Sequence, residues 1–411
     1  MTKKIVITGI GATSPLGGTA AESWSALLAG ASGASTLDYP WVAETQLPVT
    51  FAAQAKVSPT SVLERHETKR LDPSSQFALI AGREAWADAG SPEVDPERLA
   101  VDWSTGIGGV WTLLDAWDTL RERGPRRVLP MTVPMLMPNG PGAAIGMDLH
   151  ARAGIRTVVS ACASSTEALV NAYDRLQRGL ADVIIAGGSE AAIHPLPIAS
   201  FAAMQALSKR NDDPATASRP YDLTRDGFVL GEGAAALVIE TEEHALARGA
   251  RIYAELLGGS VTSDAYHITA PDPEGSAAAR AMIETIQNAG ASLADVAHIN
   301  AHATSTPVGD IAEYNALRRV FGDLLDGIPV SATKASTGHL LGGAGAIEAL
   351  FTVKALHERI APPTINLTEQ DPAIPLDVVT SPRALPAGDL LAISNSFGFG
   401  GHNAVVAFRS V

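Results

Sequence analysis

Cysteine is almost absent from this chain: one residue, Cys162, in 411. A single thiol excludes an intramolecular disulfide and a cysteine-based zinc cluster, and it fits a reducing compartment, the cytoplasm, most easily. Positive charge is scarce too. Thirty Lys and Arg stand against 44 Asp and Glu, a net charge of −14. Nucleic acid needs a basic footprint and an anionic membrane repels an acidic chain, so neither is an expected partner. Aromatic residues make up 5%. No apolar run approaches the roughly 18 residues of a spanning helix. The opening MTKKIVITGIGA carries the two lysines and apolar run of a signal peptide, but the run is short, β-branched and broken by glycine, which reads as a first strand.

What is plentiful is small and apolar. A 46% hydrophobic share with 38 glycines suits a compact α/β protein with many tight turns. Strand patterns fall at 4–8, 49–55, within 99–109, and at 155–159, 183–186, 234–240, 254–258, 296–300, 328–332, 391–394 and 403–409. Helical patterns fall at 20–29, 74–89, 276–289 and 311–321, with one more running from the glycines at 342–345 to 357. The second half repeats the logic of the first. This points to an internal duplication, with 1–250 carrying the thiol and 251–411 carrying two histidines and a lysine. The stretch Gly9-Ile10-Gly11-Ala12-Thr13-Ser14 resembles a dinucleotide fingerprint, but Ser14 stands where a third glycine belongs and no acidic residue follows a second strand. A plain strand-to-helix turn is the better reading.

The stretch 155–191 organises the rest. A β-branched run ends at Ser160, Cys162 follows, and a helical pattern with Ala168, Leu169, Ala172 and Leu176 on one face runs to Gly179. A thiol at a helix N-terminus has its pKa lowered and gains nucleophilicity. A small buried core residue is the alternative, and from this unit alone the two weigh equally. His302, Lys334 and His339 also come just after strand patterns, where α/β sheets bind ligands. A thiolate can carry an acyl group as a thioester, and two imidazoles can donate to an oxyanion or enolate. Two distant histidines and one cysteine lack metal-ligand spacing, so no metal is expected.

Together, Ser160-Ala161-Cys162-Ala163-Ser164-Ser165, Asn300-Ala301-His302-Ala303-Thr304-Ser305-Thr306, Lys334-Ala335-Ser336-Thr337-Gly338-His339 and Asn395-Ser396-Phe397-Gly398-Phe399-Gly400-Gly401 resemble the motifs of β-ketoacyl-[acyl-carrier-protein] synthases. The likeness covers the whole chain, including VITGIGATSPLG at the start and RPYDLTRDGFVLGEG in the middle. A Cys-His-His set marks the elongating enzymes. The initiating branch has Asn where His339 stands, and chain-length-factor subunits lack the cysteine. Among elongating enzymes the chain is most similar to the type II synthases of bacterial fatty acid synthesis.

The resemblance implies a thiolase-like α/β fold, duplicated in five layers, α-β-α-β-α. It implies a homodimer with acyl carrier protein as partner. Cys162 would take an acyl chain from the carrier. His302 and His339 would stabilise the enolate left when malonyl-carrier protein loses CO2, and the carbanion would attack the acyl-Cys162. The backbone N–H groups of Cys162 and Phe399 would hold the oxyanion of that step. Lys334 would support His339, together with Glu348. Thr304, Thr306 and Asp310 would be supporting residues. Phe399 would gate the site, with Gly398, Gly400 and Gly401 letting its loop move. No redox cofactor is implied, since decarboxylation drives the bond formation. Ile107, Val133 and Phe201 would lie near the acyl pocket. Arg65, Lys69, Arg70, Arg126, Arg127, Lys209 and Arg210 would supply the basic patch for an acidic carrier. Two rivals share the fold: a ketosynthase of type II polyketide synthesis, which works with a cysteine-free sister subunit, and a catalytically idle carrier-binding module.

Overall fold

A computed structural model describes residues 3–411. Strands β1 (Ile5–Thr13), β2 (Leu99–Ser104), β3 (Ile155–Arg156), β4 (Val183–Glu190) and β5 (Gly233–Thr241) come from the first half of the chain. Strands β6 (Ala254–Ser263), β7 (Val296–Asn300), β8 (Val330–Ser331), β9 (Leu391–Gly398) and β10 (His402–Arg409) come from the second. They join in one ten-stranded sheet of order β8-β7-β9-β10-β6-β1-β5-β4-β2-β3. Outward from the β1–β6 junction, each half repeats one sequence of pairings: antiparallel, antiparallel, parallel, parallel. The junction itself is narrow: Ile5 pairs with Leu256, Val6 with Glu255 and Ile7 with Ala254.

Parallel neighbours need crossovers, and helices supply them. The helices that matter here are α1 (Ala20–Leu28), α2 (Pro73–Asp88), α3 (Val110–Arg123), α4 (Thr132–Leu136), α5 (Gly140–Asp148), α6 (Ser164–Gln177), α7 (Ser276–Asn288), α8 (Pro307–Phe321) and α9 (Ala344–Glu358). Helices α2 and α5 cover the outer face of the first half; α7, with α8 beside it, covers that of the second. Between the halves lie α6 and α9, each packed on strands of both. The result is the five-layer α-β-α-β-α order. Helix α9 is buried nearly all round, as its alanine, leucine and phenylalanine content demands, which makes its Glu348 conspicuous.

Several expected elements change. The glycines at 9 and 11 are no turn: β1 runs on to Thr13. A Cβ on Gly11 would run into the Ala81 carbonyl and one on Gly9 into that of Ala85, so these glycines let α2 press directly onto the strand. Of the β-branched run 155–159, only Ile155 and Arg156 pair, and they form an exposed sheet edge. Of 328–332, only Val330 and Ser331 pair, although the segment is buried. The strand at 49–55 shrinks to Phe51–Ala53, which pairs with Ala34–Thr36 outside the main sheet. Helix α8 begins four residues before Ile311, because Pro307 fits its first turn and the Thr306 hydroxyl accepts the Gly309 N–H at 3.1 Å.

Candidate active site

The two central helices start at one point. Helix α6 follows a one-turn 3-10 helix, Ala161–Ala163, and α9 follows another, Leu341–Gly343. Ser165 Oγ accepts the Ala346 N–H at 2.9 Å, and Gly345 leaves no room for a Cβ beside Thr166. Cys162 stands at the start of α6, 8% exposed. Its neighbour Ala161 is held at φ 51°, a left-handed conformation that costs a non-glycine residue energy and marks a constrained turn. Ser164 Oγ fixes that turn, accepting the Ser160 N–H at 2.9 Å and donating to the Ala161 carbonyl at 2.6 Å.

His302 enters from the end of β7. Its N–H and that of Ala303 donate to Glu313 on α8, at 2.9 and 2.7 Å. Glu313 also accepts from Asn395 Nδ2 at 3.2 Å. His339 follows the left-handed Gly338 (φ 65°), and its Nδ1 accepts the Leu341 N–H at 3.2 Å. The ammonium of Lys334, on the one-turn helix Lys334–Thr337, lies 3.3 Å from His302 Nδ1. Each imidazole therefore accepts at Nδ1, which assigns the ring proton to Nε2. Both histidines are neutral Nε2–H donors. Burial holds both well below the ordinary histidine range, and the Lys334 cation pushes the same way. Lys334 also donates to Glu348, whose carboxyl burial raises to about 7 against the pull of that cation. The lysine's direct partner is thus His302, not the expected His339; on His339 it acts only through its field.

The thiol departs from expectation as well. Burial pushes Cys162 up to about 11, although Lys334 and the N–H groups of Phe399 and Cys162 itself pull it down. A helix N-terminus alone does not overcome that burial. The same two N–H groups face the sulfur, beside the place where the carbonyl oxygen of an acyl-Cys162 would become an oxyanion. The Phe399 N–H is brought there by the β9–β10 hairpin. A Cβ on Gly398 would lie 2.6 Å from the Ser160 carbonyl and 3.1 Å from the Cys162 nitrogen, so this glycine serves close approach rather than loop motion. Gly400 and Gly401, at φ 86° and 74°, form the left-handed turn beyond Phe399.

A cavity of about 830 Å³ opens over these groups. Cys162, His302, His339, Ile107, Phe201, Phe399, Thr304 and Thr306 all line it. Edge-to-face contacts run along its wall: Phe201 to Phe228 at 5.3 Å, Phe228 to His339 at 5.4 Å, His339 to His302 at 5.4 Å. Val133, by contrast, stands 61% exposed on α4 and does not line the cavity of a single chain. Asp310 is buried below the rim, where its carboxylate accepts the Ser305 and Tyr221 N–H groups at 3.1 and 3.0 Å. Lys209 lies in the cavity wall, and Arg65, Lys69, Arg70, Arg126 and Arg127 are exposed, with Arg210 half-buried.

One ring nitrogen of each histidine and the Cys162 sulfur fall within 4.8 Å of one another. A metal held there would have to displace two Nε2 protons beside an ammonium, so the donor set fits an anionic oxygen better than a cation. Two glutamates escaped the sequence reading. Glu313 orients His302, and Glu190 at the end of β4 gathers N–H groups from both halves. Neither has a motif; only their burial singles them out.

Residues 2–245 match the model of the β-ketoacyl synthase N-terminal domain, and 253–368 that of its C-terminal domain. A 3-oxoacyl-[acyl-carrier-protein] synthase 2 of Mycobacterium tuberculosis is 47% identical, covering 98% of this chain and 96% of the relative. One of Synechocystis is 43% identical over 99% and 98%. Among solved structures, a β-ketoacyl synthase of Burkholderia phymatum shares 36% identity at a TM-score of 0.90, covering both chains fully. A type II polyketide ketosynthase, solved with its acyl-carrier protein and a hexaketide, shares 32% at 0.92 over the same full span. The thiol on the central helix, the two donor imidazoles and the five-layer frame thus sit in a sequence matched along nearly its whole length, and the chain belongs to the β-ketoacyl synthase family.

Proposed function

We propose that the chain extends an acyl chain by two carbons from malonyl-carrier protein, as an acyltransferase of fatty acid elongation. One observation carries the residue assignment: two neutral imidazoles, each with its proton on Nε2, lie within 4.8 Å of the cavity thiol. In the first stage the Cys162 sulfur attacks the acyl thioester, a C–S bond forms, and the carrier's thiol leaves with the proton. In the second, malonyl-carrier protein loses CO2 and the electron pair moves onto the thioester oxygen, which takes hydrogen bonds from His302 and His339. Neutral donors suit this step, since they stabilise the enolate without protonating it. In the third, the carbanion attacks the acyl-Cys162 carbonyl. The oxyanion rests on the N–H groups of Cys162 and Phe399 and collapses to the β-ketoacyl thioester, returning the cysteine. Lys334, Glu348 and Glu313 fix the histidines; none needs to touch substrate.

Acyl carrier protein is the donor and acceptor in this reading, docked near the cavity through Arg65, Lys69, Arg70, Arg126, Arg127, Lys209 and Arg210. The working form is a homodimer in the cytoplasm. Helix α3 exposes Leu113 (51%), Trp117 (55%) and Leu120 (39%) on one stripe, and the β3 edge exposes Ile155 (38%). An exposed apolar stripe and an open sheet edge are each the kind of surface a second copy covers. The identities of 43–47% to 3-oxoacyl-[acyl-carrier-protein] synthases 2, against 32% to the type II polyketide ketosynthase, favour the fatty-acid reaction. Intact-mass spectrometry tests this. Incubation with long-chain acyl-carrier protein adds one acyl group, absent in Cys162→Ala, and malonyl-carrier protein then discharges it as a β-ketoacyl product. An adduct that never discharges points to a missing sister subunit, the polyketide case. No adduct at any chain length sinks the nucleophile.

A further inference from the structure

The residue the sequence left unexplained is Glu190. It is fully buried at the end of β4. Its carboxylate accepts four hydrogen bonds and, among the described residues, meets no cation at hydrogen-bond distance. Thr105 Oγ1 donates at 2.9 Å, the Gly106 N–H at 2.7 Å and the Ile107 N–H at 3.3 Å, all from the loop after β2. The Gly342 N–H donates at 3.0 Å from the turn that opens α9. Every partner donates, which favours the ionised carboxylate, while burial opposes it and raises the group to about 7; an amide group there would face an N–H.

Burying a carboxyl without a counter-cation is expensive, and here only hydrogen bonds offset the cost. Here the two segments it joins both serve the cavity. The first carries Ile107, 42% exposed on the cavity wall with Cys162. The second begins one residue after Leu341, whose N–H sets the ring proton of His339. The segments touch closely: a Cβ on Gly342 would run into the Gly106 nitrogen. The anion also works against the thiol, raising Cys162 rather than lowering it. Its place so near the nucleophile is therefore a cost to chemistry, which a structural reason must offset.

We infer that Glu190 is a positioning residue that sets acyl-chain discrimination: its carboxylate clamps the Ile107 wall of the cavity to the Gly342 turn across the two halves of the chain. The inference rests on the acyl-synthase reading. With the clamp intact, Ile107 is a fixed wall and chains of different length meet it differently. Released, the wall yields to any chain.

The test compares Cys162 acylation rates by octanoyl- and palmitoyl-carrier protein in the full-length wild type, Glu190→Gln, Ile107→Ala and the double variant. Glu190→Gln keeps the size and loses the charge. Expected is at least a fivefold shift of the long-to-short rate ratio toward unity in Glu190→Gln. A similar shift is expected in Ile107→Ala, with no further shift in the double variant, because the clamp acts through that wall. A ratio unchanged in Glu190→Gln, or both rates falling in parallel, overturns the inference. So does full additivity of the two substitutions. Should Glu190→Gln not fold, Gly106→Ala decides, since its Cβ would press 2.8 Å from the Glu190 oxygen and loosen the clamp from the loop side. An unchanged ratio there counts equally against the inference. Wild-type protein that acylates with neither donor would instead fail the function itself, which keeps the two failures apart.

Discussion

At the scale of single residues, the thiol and the nearby cation set how readily Cys162 reacts. Cys162 is a protonated thiol at neutral pH, since burial takes it up to about 11, and Lys334 is its principal electrostatic relief after burial. Alkylation by iodoacetamide is therefore expected to accelerate steadily from pH 7 to 9 with no plateau. Lys334→Ala removes a cation that lowers the thiol, so the thiolate fraction falls and alkylation at pH 8 slows about tenfold, the effect of one pKa unit. A rate that plateaus near pH 7 would mean the helix terminus outweighs burial after all. The four side chains proposed to act at the site were legible in the sequence because each follows a strand pattern and stands in a motif. Glu190 and Glu313 were not. Glu190's partners Gly106 and Gly342 lie 84 and 152 positions away, and no spacing rule connects a carboxylate to backbone N–H groups so remote.

At the scale of elements, the β9–β10 hairpin brings the Phe399 N–H, the proposed oxyanion donor, to the thiol. Gly398→Ala places a methyl group 2.6 Å from the Ser160 carbonyl, so the hairpin must back away and take the Phe399 N–H with it. Loss of one such donor costs on the order of 10²-fold in turnover. Acylation and condensation rates should fall by that order while far-UV circular dichroism stays unchanged; wild-type turnover would show that Phe399 holds no oxyanion. The hairpin's glycines read in the sequence as freedom to move, but their contacts show that Gly398 is needed for closeness and the next two glycines for a left-handed turn. The glycines of β1 mislead in the same way. A glycine pair looks alike in a sequence whether it bends a chain or admits a neighbouring helix, and only the packing of α2 separates the two. The short strands β3 and β8 were overestimated because β-branched runs report burial or stiffness, not pairing.

At the scale of the molecule, two further outcomes follow. A dimer closing over α3 and the β3 edge predicts a particle of twice the chain mass by light scattering, and Trp117→Glu should shift it to monomer; a monomeric wild type would refute the interface. The charge balance gives the other. Burial pushes Glu84, Glu190, Glu232, Asp310 and Glu348 up to about 7. Their folded forms bind protons more tightly than the unfolded chain, so stability declines as pH rises from the ordinary carboxylate range through about 7. His298, held down to about 4, and His302 and His339 oppose this, but only below about pH 6.5, where an unfolded imidazole takes up a proton. Between pH 6.5 and 8 the carboxyls prevail, and the thermal midpoint should fall; a rise would mean that these groups ionise without cost.

The middle layer has a last consequence. Because α6 comes from one half and α9 from the other, and each covers strands of both, neither half owns the insulation its inner face requires. Cleaved in the loop after residue 248, the gene would encode two polypeptides that each precipitate when made alone. Made together in one cell, they would reassemble into a soluble enzyme that acylates Cys162. The fold repeats itself, yet it is built as an interlocked pair rather than two tandem units, and the surroundings of Cys162 are complete only where the pair has closed.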